Sequence, residues 1–304
     1  MNMKKTADVT LLFVVFIWGV TFVMVQNAIS FLEPFSFNAV RFFIAFLILL
    51  FPYFLTLHKK RTPFTKEVLI AGIHIGAWLF LGYAFQTKGL ELTTPAKTGF
   101  ITGLSVVMVP VFSLLLLKLK LSRHTVLGVV AATFGLYLMA FVDHSSLNVG
   151  DFLVFLCAIS FAMQIITTAR YAKALPALPL TLIQICTVSV LSFVSALLFD
   201  ENYSVVFQAE VMLQTEVWAA LLVTAALATA FAFLAQTHFQ AYTTPTRVAL
   251  IFSMEPVFAA ITSYIWIDEK LTISSLAGCA FIFFGMILAE LPSKKSIAFS
   301  REIT

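Results

Sequence analysis

Charge is scarce in this chain: 11% of its 304 residues are Asp, Glu, Lys or Arg, against about 25% in a typical soluble domain. That scarcity, with a 61% hydrophobic content and a mean hydropathy of +0.99, excludes a water-soluble globule. Cysteine is as sparse. Cys157, Cys186 and Cys279 stand alone, without CxxC or Cys/His spacing, so neither a disulfide nor a metal site is expected. No GxxxxGK[ST] loop occurs, which removes ATP as a driver on this chain, and no cofactor is called for. The pI near 8.9 could suggest nucleic acid. Its bases, however, sit singly or in short runs between apolar segments and build no basic face, so no nucleic-acid partner is expected.

What is present is a series of long apolar runs. A helix needs about 20 mostly apolar residues to cross the hydrocarbon core. On that measure spans fall at 9 to 28, 36 to 57, 68 to 87, 96 to 117, 124 to 142, 150 to 170, 179 to 199, 217 to 237, 246 to 267 and 273 to 290. The runs are continuous rather than alternating, which argues against barrel strands. The expected fold is an all-α membrane protein of ten transmembrane helices, with the lipid bilayer as its first partner. Lys4-Lys5 before the first run is read as the flank of a retained span, since no small-residue cleavage site follows.

Basic residues set the orientation. With the N-terminus inside, 15 of the 19 Lys and Arg fall in inside segments, and the stretch from Asp200 to Glu216 carries four acids and no base. The positive-inside rule then places both termini in the cytoplasm, in the cell membrane.

A block of the chain returns 150 residues later without a gap. Gln86-Thr87 recurs as Gln236-Thr237, Thr93-Thr94-Pro95 as Thr243-Thr244-Pro245, Lys97 as Arg247, Gly128 as Gly278, and Phe134-Gly135 as Phe284-Gly285. Phe13, Val15, Phe16, Phe22 and Met24 match Phe152, Val154, Phe155, Phe161 and Met163 at an offset of 139. The division is a first repeat over 1 to 143, a second over 144 to 292, and a cytoplasmic tail over 293 to 304. Five spans per half is an odd number, so the second copy enters the membrane from the opposite side. Two inverted five-helix repeats with a site between them follow.

Several short motifs lie along this frame: Trp18-Gly19 with Phe22, Arg41-Phe42, Glu255-Pro256-Val257-Phe258, then Glu269, Leu271, Gly278 and Gly285. With the duplication, they make the chain resemble the ten-helix EamA-like branch of the drug/metabolite transporter superfamily over nearly its whole length. The resemblance implies secondary transport of a small-molecule substrate, commonly export of amino acids or related metabolites, through a cavity between the halves. The second half departs from the pattern at Cys157-Ala158, where the first has Trp18-Gly19.

Polar residues inside spans are the candidates for chemistry. Glu255 lies about nine residues into its span, roughly 14 Å along the helix. An acid at such depth costs about 2.5 to 3.5 kcal/mol on insertion scales. It reads either as a substrate-amine anchor or coupling site, or as an acid that braces a helix bent at Pro256. Pro110 is a second expected break. Arg41 reads as an interfacial anchor or as a partner for Glu255 or a substrate carboxylate, because a guanidinium offers two parallel donors to a planar acid. His74 and Trp78 are four apart and share a face, with Tyr83 and Gln86 further along it or beside it. Gln164, Gln184 and Gln236 suit substrate contacts or interhelical hydrogen bonds. Trp18, Lys97 and Arg247 are the gate or mouth candidates. Gly128, Gly135, Gly278 and Gly285 stand seven apart in each copy, which fits close packing either between the halves or in a homodimer.

Two other function classes fit the sequence less well. Organic-cation efflux occurs in small four-helix relatives with an acid in the first helix, but no acid lies here between Asp8 and Glu33. An intramembrane enzyme needs a nucleophile with a base or paired carboxylates in one layer. Glu255 is the one acid in a span core, so the chain reads as no enzyme.

Overall fold

The computed structural model describes residues 3–57, 64–93, 95–119, 121–140, 148–267 and 272–290. Lys59, Lys60, Arg61, Lys120, Glu269, Lys270 and the tail from 291 on lie outside the described residues, as does the side chain of Lys97.

All regular structure among the described residues is helical: α1 (Met3–Ala28), α2 (Pro34–Leu57), α3 (Lys66–Leu92), α4 (Pro95–Gly103), α5 (Ser105–Leu117), α6 (Arg123–Ala140), α7 (Val149–Tyr171), α8 (Ala177–Phe199), α9 (Ala209–Met212), α10 (Thr215–Val223), α11 (Ala232–Gln240), α12 (Pro245–Phe252), α13 (Glu255–Ile267) and α14 (Ile273–Glu290). A π-helical segment, Thr224–Phe231, joins α10 to α11. Eight stretches are long and apolar enough to cross a membrane, while Arg123–Leu138 and Ile273–Ala289 are shorter apolar helices. The spans expected at 124 to 142 and 273 to 290 fall on those two shorter helices. Outward faces are apolar: Phe51, Leu198 and Ile265 are about 70% exposed, as suits contact with acyl chains.

Two predicted spans are each broken. α4 gives way to α5 at Leu104, and α12 to α13 at Ser253–Met254. The break in the fourth span is not where a proline was expected to make it. Pro110 lies buried inside α5, which continues through it; the interruption comes earlier, beside Gly103, whose lack of a side chain lets Leu136 pack close against the bend. Pro256 does adjoin its break, at the second residue of α13, where its missing N–H is one the helix start would leave free anyway. α12 starts as its Thr-Pro sequence predicts, with Thr244 Oγ1 accepting from Arg247 N at 3.3 Å.

Glycine sets the closest contacts. A Cβ on Gly128 would lie 2.6 Å from Gly285 O, and one on Gly135 2.5 Å from Gly278 O, so α6 and α14 touch antiparallel, backbone to backbone. The seven-residue glycine spacing is thereby used within the chain, and no signal for a second copy is left in it. Hydrogen bonds mirror each other across the halves as well. Asn38 Nδ2 donates to Thr87 Oγ1 at 2.9 Å, and Gln184 Nε2 to Thr237 Oγ1 at 3.3 Å.

Both ends of the bundle are tied. Ser36 N and Oγ each donate to Asp200 Oδ2 at 2.7 Å, and Glu33 accepts from the backbone of Glu201 and Asn202. Burial pushes the Asp200 carboxyl above its ordinary range, opposed by the Ser36 bonds. At the end where α1 begins, Arg247 grips Asp8 with Nε at 2.8 Å and Nη2 at 2.7 Å.

Candidate substrate site

Two small cavities lie in the middle of the bundle, of about 40 Å³ and about 30 Å³. Trp18, Tyr83, Gln86 and Glu255 border both and form the wall they share. The first is completed by Thr102 and Ser105 at the α4–α5 break, Gln164 on α7, and Phe233 and Gln236 on α11. The second runs toward the far end of α1, past Thr21 and Val25, and takes in Arg41.

Glu255 is the first residue of α13, so the helix break brings its carboxylate to the cavity wall and the half-helix directs its positive end there. Among the described residues no donor and no cation reaches that carboxylate. Gly19 lets α1 come close: a Cβ there would stand 2.9 Å from Glu255 O.

Arg41 is 4% exposed. Its Nε donates to Thr229 Oγ1 at 2.8 Å, its Nη2 reaches Tyr83 Oη at 3.4 Å, and the guanidinium lies 4.8 Å from the Tyr83 ring centre. A cation so buried is held by a hydroxyl and aromatic faces, without a carboxylate partner among the described residues. The ion pair between Arg41 and Glu255 that the sequence suggests is therefore not formed, although both side chains border the second cavity.

The π-helical segment explains two of these positions. Its wider turn sends the Ala232 N–H back five residues to Leu227 O and turns neighbouring polar groups aside. Trp18 Nε1 donates to Ala228 O at 2.8 Å, and the next residue, Thr229, holds Arg41. Aromatic rings close the remaining sides: Trp18 meets Phe252 edge-on at 4.9 Å, and Tyr83 meets Phe161 at 5.3 Å.

Glutamines form a layer toward the end where α1 begins. Gln236 Nε2 donates to Gln164 Oε1 at 3.0 Å and Gln240 Nε2 to Ile165 O at 2.6 Å, while Gln236 Oε1 is buried without a partner among the described residues. Gln86 Nε2 reaches Thr102 Oγ1 at 3.4 Å. Gln184 lines neither cavity and serves the Thr237 clamp instead.

The remaining candidates lie away from the central cavities or outside the described side chains. His74 is exposed and stacks edge-on against Tyr171 at 6.2 Å, and Trp78 borders neither cavity. At about 100° per residue, the face they share has turned well away by the time the chain reaches Gln86. Arg247 borders neither central cavity and pairs with Asp8 at the end where α1 begins, while Lys97 falls outside the described side chains. Cys157, the counterpart of Trp18, is buried against Thr102.

Comparison with known proteins decides the family: the model of the EamA-like transporter family matches twice, over residues 5–141 and 148–291. The chain belongs to the EamA-like transporter family. A transporter of Archaeoglobus fulgidus, described as uncharacterized, is 35% identical over 286 residues, covering 94% of this chain and 86% of that protein. The uncharacterized transporter YoaV of Bacillus subtilis is 25% identical, covering 90% of this chain and 93% of its own. A solved crystal structure with 17% identity matches the fold at a TM-score of 0.78 over 95% of this chain and 97% of that one. An EamA-like transporter of this kind is a multi-pass membrane protein moving a small molecule, and not an enzyme.

Proposed function

We propose that the protein is a secondary transporter that exports amino acids or closely related zwitterionic metabolites across the cell membrane. It works by alternating access between two inverted five-helix repeats, 1 to 143 and 144 to 292, with both termini cytoplasmic. The observation that carries the substrate class is the coexistence, on one cavity wall, of a Glu255 carboxylate and an Arg41 guanidinium that do not pair with each other and that, among the described residues, have no other charged partner. Opposite charges kept apart in low dielectric are complementary to a ligand that carries both. Glu255 with Gln236 Oε1, both acceptors, suits the ammonium end; Arg41 suits the carboxylate end.

Support for the inverted repeat comes from the double family match, from helix breaks 150 residues apart at Leu104 and Met254, and from the mirrored amide–threonine bonds. The glycine contacts agree, since exchanging the halves turns the Gly128–Gly285 pair into Gly278–Gly135. Cavities of about 40 and 30 Å³ hold a few waters at most, so substrate entry requires the helices to part.

Liposomes containing the purified protein test this reading with labelled amino acids and organic cations. Saturable amino-acid flux, lost in both Glu255→Gln and Arg41→Ala at unchanged abundance, is expected. Organic-cation efflux is the second reading, favoured by the aromatic rings around Glu255; flux of cations that survives Arg41→Ala would establish it instead. Full wild-type flux in Glu255→Gln would overturn the site.

A further inference from the structure

A third cavity, of about 340 Å³, opens at the corner where α7 turns into α8 beside the end of α11, and shares no lining residue with the central pair. Its floor is made of the small side chains of Ala172, Ala177 and Ala241, which leave the space unfilled. The polar groups on its walls are Lys173, His238 and Tyr242, and no acid is among them. No hydrogen bond or ion pair joins any of the three side chains to another described residue; the His238 ring meets those of Phe239 and Tyr242 edge-on, the latter at 5.6 Å. Arg170, one turn back on α7, adds positive charge and lies over the Tyr171 ring at 5.8 Å. At the same end Arg247 is already neutralised by Asp8, so that acid is not available to this corner.

A roomy pocket whose polar lining consists of an ammonium, an imidazole and a phenol, with no hydrogen bond from these side chains to any described residue, is complementary to an anion with several acceptor oxygens. Alanine walls match a bulky group better than a halide. We propose that this corner binds a phosphate group, either the phosphodiester of an anionic lipid headgroup or a soluble phosphate ester. The site is independent of the transport reading and stands whatever the central cavities carry. It lies at the end of the bundle that basic residues assign to the cytoplasm, where anionic headgroups concentrate.

The test uses the full-length protein in a neutral detergent, titrated separately with dihexanoyl phosphatidylglycerol, glycerol 3-phosphate and uncharged dihexanoylglycerol, with binding read by native mass spectrometry. Binding of phosphatidylglycerol or glycerol phosphate, weakened at least about tenfold in Lys173→Ala and abolished in Lys173→Glu, is expected. Preference for the lipid assigns a headgroup site, and equal binding of glycerol phosphate assigns a soluble ester. Ala241→Phe, which fills the cavity and keeps every charge, is expected to abolish binding too, which separates a shaped site from diffuse attraction. The proposal is overturned if dihexanoylglycerol binds as tightly as phosphatidylglycerol, if neither phosphate ligand binds, or if Lys173→Glu and Ala241→Phe both bind like the wild type.

Discussion

Arg41 is the residue whose surroundings say most about what it can do. Its guanidinium donates to Thr229 Oγ1 and Tyr83 Oη and lies 4.8 Å from the Tyr83 ring centre, which leaves the remaining donors of the fork for a ligand. Arg41→Lys keeps the charge but loses both contacts. A charged hydrogen bond contributes about 1.5 to 3 kcal/mol, so apparent substrate affinity in liposome flux should fall tenfold or more, with Thr229→Val giving a smaller loss in the same direction. Trp18→Phe removes the single bond to Ala228 O and should cost about 1 kcal/mol, measured by thermal unfolding in detergent. Glu255, Arg41, Gln164 and Gln236 were legible from sequence because a charge or amide inside a span has no cheap resting place. Thr229 and Ser105 were not. Hydroxyls in helices commonly bond their own preceding carbonyl, as Thr133, Ser160, Thr167 and Thr262 do here, so another threonine in a span carries no signal. The repeat offered one overlooked clue: Ser105 stands 150 residues before Glu255, at the mirrored break.

At the scale of elements, long apolar runs made the helices legible, whereas their interruptions were not. A proline is the visible sign of a break, yet α5 runs through Pro110 while the chain bends at Leu104. The π-helical segment left no mark either, since an extra residue in a turn changes neither composition nor hydropathy. Deleting Leu227 should return Thr224–Phe231 to an α register, rotate Ala228 and Thr229 away from Trp18 and Arg41, and abolish flux at normal membrane abundance. Glycine positions permit a paired comparison. Gly135→Ala would press a methyl to 2.5 Å from Gly278 O and should destabilise by about 1 to 3 kcal/mol. Gly99→Ala, whose added methyl would stand 3.7 Å from Pro256, should be nearly neutral in the same unfolding assay.

For the whole molecule, the two ends of the bundle make opposite predictions. Cysteines introduced at Ala209 and at Lys173, in a background with Cys157, Cys186 and Cys279 replaced, should react with membrane-impermeant maleimide on opposite faces of intact cells, Ala209 from outside. Labelling of both from one face would end the proposed orientation. The duplication was readable in the sequence, but how the halves meet was not, because spacing alone could not decide between packing within the chain and packing between chains. The contact between α6 and α14 has a mechanical consequence. Where two helices meet peptide against glycine, flanked only by Ala132, Ile282 and Ala289, little side-chain volume is left to shear or repack, and a sideways displacement drives carbonyl oxygen into α-carbon. In the proposed alternating-access cycle that seam would serve as a fulcrum, with the longest stroke falling to the elements farthest from it.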